Sequence, residues 1–156
     1  MPHPFPHRYE VDLIWEAGRE GLATAPPRPP IAGGPPPEFD GRPDIWSPEH
    51  LLLSAVNLCQ MTTFLALAAK ARLEVVSYRS IASGVLDKTA EGLRFTAMRL
   101  RVELQVQPAD VERGRQLLHT AHKHCIVSNA LRVEVEIEAA VGAGEHGNAG
   151  RGSVAP

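Results

Sequence analysis

From Arg8 to Trp15 the chain alternates, with Tyr9, Val11, Leu13 and Trp15 on one face and Arg8, Glu10 and Asp12 among the residues opposite. A period of two predicts a half-buried strand. Ala17-Gly18-Arg19-Glu20-Gly21 carries turn chemistry, and Leu22 to Ala25 can return as a second strand, which puts Arg19 at the tip of a hairpin. Residues 26–37 then hold seven prolines and two glycines in twelve positions. Such a run forms neither helix nor interior strand, so a surface crossover loop is expected there.

A helix is predicted to open at Ser47-Pro48-Glu49, where Ser suits the N-cap, Pro the first helical position, and Glu the first turn. Apolar residues continue through Leu51, Leu52, Val56, Leu58, Phe64, Leu65 and Leu67 towards Arg72, on most sides of the helix. That pattern predicts a buried central helix. Two strands follow, over 74–86 and through Met98, Leu100, Val102, Leu104 and Val106, with a turn near Asp87 to Gly92. A second helix is expected after Pro108, with Val111, Gly114, Leu118, Ala121 and Cys125 on one stripe. Val133, Val135, Ile137 and Ala139 mark a last strand. The order is strand hairpin, helix, strand pair, helix, strand, joined mostly by short turns, which predicts one α+β domain with largely antiparallel pairing. That domain covers 1–141; the Gly-rich segment 142–156, whose one strongly apolar residue is Val154, is expected to be a disordered tail.

Composition narrows the function classes. Of the 156 residues, 16 are Lys or Arg and 18 are Asp or Glu, for a formal net charge of −2. This balance gives no electrostatic reason to expect nucleic acid or an anionic membrane as partner. The apolar stretch from Leu51 to Ala69 is broken by Ser54, Asn57 and Gln60, which argues against a membrane span. The start Met-Pro-His-Pro-Phe-Pro-His lacks the form of a secretory signal, so a cytoplasmic location is expected.

The chain has two cysteines, Cys59 and Cys125. They read as inert buried thiols, as a redox couple or as metal ligands. Asn57-Leu58-Cys59-Gln60 fits a capping box, and if a new helix began at Asn57, Cys59 would lie in its first turn, where a thiolate is favoured. One continuous helix with Cys59 as a core thiol fits the same residues. In one straight helix Glu49 and Cys59 would lie about 15 Å apart along the axis, so a shared site requires a break between them. Around Cys125, His119, His122 and His124 invite a metal reading. No second ligand cluster exists and three ligands on one helix make poor tetrahedral geometry, so solvated histidines near a helix C-terminus are the better account and no metal or other cofactor is expected.

Ser47-Pro48-Glu49 followed ten residues later by Cys59, then Ala121-His122 with Cys125 and Ser128 before a final strand, resembles the OsmC/Ohr superfamily of osmotically inducible and organic hydroperoxide resistance proteins. The resemblance runs from about Val11 to Val141, and Gly18-Arg19-Glu20-Gly21 is similar to the loop that supplies that family's arginine. It implies an intertwined homodimer, with two sheets wrapped around paired central helices and a site at the subunit interface. By motif position it implies Cys59 as the peroxidatic cysteine, Cys125 as the resolving one, and Glu49 and Arg19 as the acidic and basic partners. The implied activity is thiol-dependent reduction of alkyl or lipid hydroperoxides through a Cys59 sulfenic acid and a Cys59–Cys125 disulfide, with a dithiol such as a lipoylated protein as reductant. Ile126 stands where the family commonly has Pro, and Gln60 where an aromatic often follows the first cysteine. A non-enzymatic module of the same fold, binding an apolar ligand or partner at the interface, is the alternative from a different class.

Overall fold

In the computed structural model residues 3–144 are described, in two units that meet in the chain between Leu52 and Leu53. The first unit carries the hairpin. β1 (Asp12–Ala17) pairs antiparallel with β2 (Glu20–Thr24), and β3 (Ile31–Gly33) adds at the other edge of β2. Arg19 stands at the tip, as expected, beside Gly18, whose φ of 55° suits a residue without a Cβ. β1 begins four residues later than the alternation suggested, and its apolar residues are exposed, with Trp15 at 73%. The pattern records which side chains need cover; among the described residues of a single chain, none supplies it here.

The proline-rich run is mostly loop. The three residues of β3 lie in its proline-free stretch, and as an edge strand they are compatible with the nearby prolines. A single 3-10 turn follows at Pro37–Phe39. Gly41 then lies so close to Pro35 that a Cβ would come within 1.6 Å of its carbonyl oxygen, so the loop folds tightly back on itself.

α1 (Pro48–Lys70) starts where the sequence signals place it. The His50 N–H donates to Ser47 Oγ at 3.2 Å, and Pro48 takes the first helical position. The helix is unbroken through Asn57, so of the two alternatives the sequence left open, a new start at Asn57 or one continuous helix, the second is realised. Its burial differs from expectation. Val56, Gln60, Phe64 and Ala68 form one buried stripe at a spacing of four, while Leu58 and Leu65 are exposed.

The second unit is built on β4 (Val75–Thr89), β5 (Gly92–Val106) and β6 (Val135–Ala143), in that order. β4 and β5 form a long hairpin around Ala90-Glu91. Along β5 the alternation is realised fully: Met98, Leu100, Val102, Leu104 and Val106 are buried. β6 pairs parallel to β5, from Met98↔Val135 to Val106↔Ala143. The other strand pairs are antiparallel, in keeping with the expected largely antiparallel arrangement, and β6 lies parallel because the chain returns to the start of β5 through a helical crossover. That crossover holds α2 (Val111–Lys123) and the one-turn helix α3 (Ile126–Asn129). β6 also claims Gly142 and Ala143 from the expected tail, and residues 145–156 lie outside the described residues.

α1 has the length and apolar content of a membrane-crossing helix. Its polar interruptions nevertheless bind within the second unit. Gln60 Nε2 donates to Leu118 O at 3.2 Å, Asn57 Nδ2 donates to Ser80 O at 3.3 Å, and Ser80 Oγ donates to Asn57 Oδ1. Phe64 stacks on Tyr78 with ring centroids 5.7 Å apart. These contacts tie α1 to α2 and β4 as a core helix.

Candidate active site

Cys59 projects from the middle of α1, and Cys125 lies two residues beyond the end of α2. Cys125 is fully buried and Cys59 is partly accessible, and both are free thiols. The backbone at Cys125 is extended, with φ −67° and ψ 109°, and this turn of the chain starts α3. Ile126 and Val127 therefore present their N–H groups at the beginning of a helical turn, where they have no partner within it.

The Cys59 sulfur meets those groups. Burial works against its ionisation, but the Val127 N–H, the Cys125 thiol, the Ile126 N–H and the Thr63 hydroxyl all favour the anion, and the thiol is held below its ordinary range. Cys125 moves the other way. Burial pushes it up, the Ser128 hydroxyl opposes this, and the neighbouring Cys59 adds to the rise. Ser128 Oγ donates to Cys125 Sγ at 3.2 Å. One sulfur of the pair is thus a favoured thiolate and the other a proton-holding thiol. Such a pair can attack an electrophile through Cys59 and then close a disulfide through Cys125.

The helix N-terminus that favours the Cys59 thiolate is therefore not the one its own sequence suggested. Cys59 sits mid-helix, and the donors come from a segment 67 and 68 positions later. Thr63 and Ser128, at spacings of four and three from the two cysteines, had a helical signal that could have found them; Ile126 and Val127, acting through main-chain groups, had none. Tyr78 Oη is buried without a hydrogen-bond partner, while the nearby Ser80 hydroxyl serves Asn57. Burial pushes the Tyr78 phenol up, Ser80 opposes, and charge on Cys125 would push it further.

Arg19 and Glu49 belong to the first unit, and no ion pair joins them among the described residues. Arg19 Nη2 donates to Phe39 O at 2.7 Å and to Asp40 O at 3.3 Å, so the loop after the proline run holds the guanidinium. Glu49 Oε2 is buried with no partner. An unbroken α1 leaves ten residues, or about 15 Å of helix axis, between Glu49 and Cys59. The break that would have let these two share a site within one helix is absent. Among the described residues no group of three His, Cys, Asp or Glu side chains is placed to hold a metal ion. His119 and His122 lie on α2, where His122 Nδ1 is buried without a partner.

A family profile described as "OsmC-like protein" matches residues 41–140. The Bacillus subtilis protein YmaD is 23% identical over 142 residues, covering 86% of this chain and 95% of its own length. Among solved structures, an OsmC-like protein of unknown function from Vibrio cholerae superposes with a TM-score of 0.78 at 23% identity, covering 86% of this chain and 100% of its own. An organic hydroperoxide resistance protein from Elizabethkingia anophelis does so with a TM-score of 0.70 at 17% identity, covering 90% of this chain and 100% of its own.

Proposed function

The chain belongs to the OsmC-like family, and from that premise we propose that it is a thiol-dependent peroxidase that reduces organic hydroperoxides through Cys59. The observation that carries this reading is the meeting of two free thiols, a partly accessible Cys59 on α1 against a buried Cys125 at the start of α3, with the Ile126 and Val127 N–H groups on Cys59 and the Ser128 hydroxyl 3.2 Å from Cys125 Sγ. The Cys59 thiolate attacks the outer oxygen of ROOH. The O–O bond breaks, RO⁻ leaves and takes a proton to become the alcohol, and Cys59 becomes a sulfenic acid. Cys125 then attacks that sulfur, the disulfide forms, and the sulfenic hydroxyl leaves as water. An external dithiol, such as a lipoylated protein, restores both thiols. Leu58 and Ile126, exposed and adjacent in sequence to the two cysteines, favour alkyl or lipid hydroperoxides over hydrogen peroxide.

In this reading the protein acts in the cytoplasm as a homodimer. The exposed apolar residues of β1 and α1 are the support for it, since each needs cover that one chain lacks. A second copy would also bring Arg19 and Glu49 to the cysteine pair. There Arg19 would leave its carbonyl partners, be oriented by the unpartnered Glu49 carboxylate, and stabilise the charge growing on the leaving oxygen. The present grip of Phe39 and Asp40 on Arg19 favours the second reading, an apolar-ligand module without peroxidase chemistry. Purified protein assayed for cumene hydroperoxide consumption with dihydrolipoamide decides between them. Turnover lost in Cys59→Ser supports the enzyme, and no turnover in wild type leaves the binding module.

A further inference from the structure

The peroxide half of the cycle uses the Cys59 thiolate, but the reductive half depends on which sulfur is attacked and which one leaves. In thiol–disulfide exchange the leaving sulfur departs as a thiolate, and whatever stabilises that anion speeds the step. Two observations bear on this choice. Cys125 is 0% exposed whereas Cys59 can be reached from solvent. In addition, the Ser128 hydroxyl lies 3.2 Å from Cys125 Sγ, within reach to donate to the sulfur. The peroxide-reducing step does not involve the Cys125 sulfur, and in the resolving step, where Cys125 is the nucleophile, a donor raises its thiolate fraction but lowers the reactivity of that thiolate, so the two effects partly cancel; only where Cys125 leaves as a thiolate does the hydrogen bond act in one direction.

We propose that Ser128 is a catalytic donor for the reductive half-reaction: it stabilises Cys125 as the leaving thiolate, and so directs the incoming dithiol to Cys59. The inference rests on the peroxidase reading, since it assigns a residue to that same cycle. One thiolate of the reductant attacks Cys59 Sγ and forms a mixed disulfide. The Cys59–Cys125 bond breaks, its electron pair goes to Cys125 Sγ, and Ser128 Oγ–H donates to the new anion. The second thiol of the reductant passes its proton to Cys125 and, as a thiolate, attacks its own sulfur in the mixed disulfide. Cys59 leaves as a thiolate into the amides of Ile126 and Val127. The reductant is oxidised to a disulfide, the protein disulfide is reduced by two electrons, and Cys59 thiolate with Cys125 thiol is regenerated. While Cys59 is in the mixed disulfide it carries no charge, so its unfavourable influence on Cys125 is lifted. Burial is then the main cost to the leaving thiolate, and Ser128 is the side chain that offsets it.

The test separates the two halves. Protein oxidised with diamide, which needs no peroxidase activity, is mixed with dihydrolipoamide in a stopped-flow instrument, and reduced protein is mixed separately with cumene hydroperoxide. Ser128→Ala should slow the first reaction about tenfold, a part of the value of a hydrogen bond to a charged group. It should leave formation of the Cys59 sulfenic acid unchanged, and Ser128→Thr should restore the reductive rate. With the monothiol 2-mercaptoethanol as probe, peptide mass spectrometry should find the mixed disulfide on Cys59 in wild type and a growing share on Cys125 in Ser128→Ala. Equal reductive rates in wild type and Ser128→Ala would overturn the inference, as would a mixed disulfide on Cys125 in wild type, failure of diamide to form the Cys59–Cys125 bond, or a Ser128→Thr rate as low as that of Ser128→Ala. Absence of hydroperoxide consumption with a normal Ser128 effect would instead refute the peroxidase reading alone.

Discussion

Ile126 is the first residue of α3, and its N–H is one of the groups that favour the Cys59 thiolate. Ile126→Pro deletes that single donor with little else disturbed. The side chain is 78% exposed, the position is the first of α3, and Cys125 before it already has the extended ψ that a following proline requires. A hydrogen bond to a charged group contributes about 1.5–3 kcal/mol. Cys59 is only partly buried, so water can replace the donor in part, and about 1 kcal/mol is the working loss. Since about 1.4 kcal/mol is a factor of ten, the thiolate fraction should fall about fivefold at pH values below the titration of Cys59. Iodoacetamide alkylation of Cys59, followed by peptide mass spectrometry from about pH 5 to 10, reads this directly. The wild-type rate should level off below the ordinary thiol value of about 8.5, and the Ile126→Pro curve should move towards it while reaching the same plateau. Ile126→Ala keeps the N–H and should follow wild type. Superimposable curves for Ile126→Pro and wild type would remove the α3 amides from the account of Cys59.

Arg19→Lys should lose about a hundred- to a thousand-fold in peroxidase rate and Glu49→Gln less, because an ammonium cannot reproduce a planar fork; near-normal rates in Arg19→Lys would remove Arg19 from the chemistry. One equivalent of cumene hydroperoxide should give an intramolecular Cys59–Cys125 disulfide, and Cys125→Ser should over-oxidise at Cys59, both checked by peptide mass spectrometry. Cys125 has a raised thiol pKa when folded, so its contribution to stability is complete below the unfolded value and lost as pH rises through the folded one. Burial, the largest cause of that rise, persists in Cys59→Ser, so its melting temperature should fall as pH rises above about 8.5 relative to a variant with both cysteines replaced by serine, and parallel curves would contradict this. Leu100→Ala, at a fully buried position of β5, should cost about 2–5 kcal/mol in urea unfolding, whereas a loss below 1 kcal/mol would mean that β5 is not the core strand.

Elements whose periodicity is satisfied inside one chain were legible from residues alone. β5 shows this most clearly: Met98 to Val106 alternate in sequence and in burial, because a strand with one covered face has a period of two. The start of α1 and the Arg19 turn were equally legible, since Ser47, Pro48 and Gly18 act on groups a few residues away. Where the apolar pattern asked for cover that the described residues of a single chain do not provide, as in β1 and on part of α1, it identified apolar faces that are exposed in one chain. The parallel sense of β6 was hidden because local alternation is the same in either direction, and only the path of the crossover selects one. At the site, the two cysteines and their helical neighbours Thr63 and Ser128 were visible as side chains at telling spacings. The amides of Ile126 and Val127 were not. A main-chain N–H has no side-chain signature, and what it does for Cys59 depends on α3 and the middle of α1 being brought together across more than sixty residues of chain.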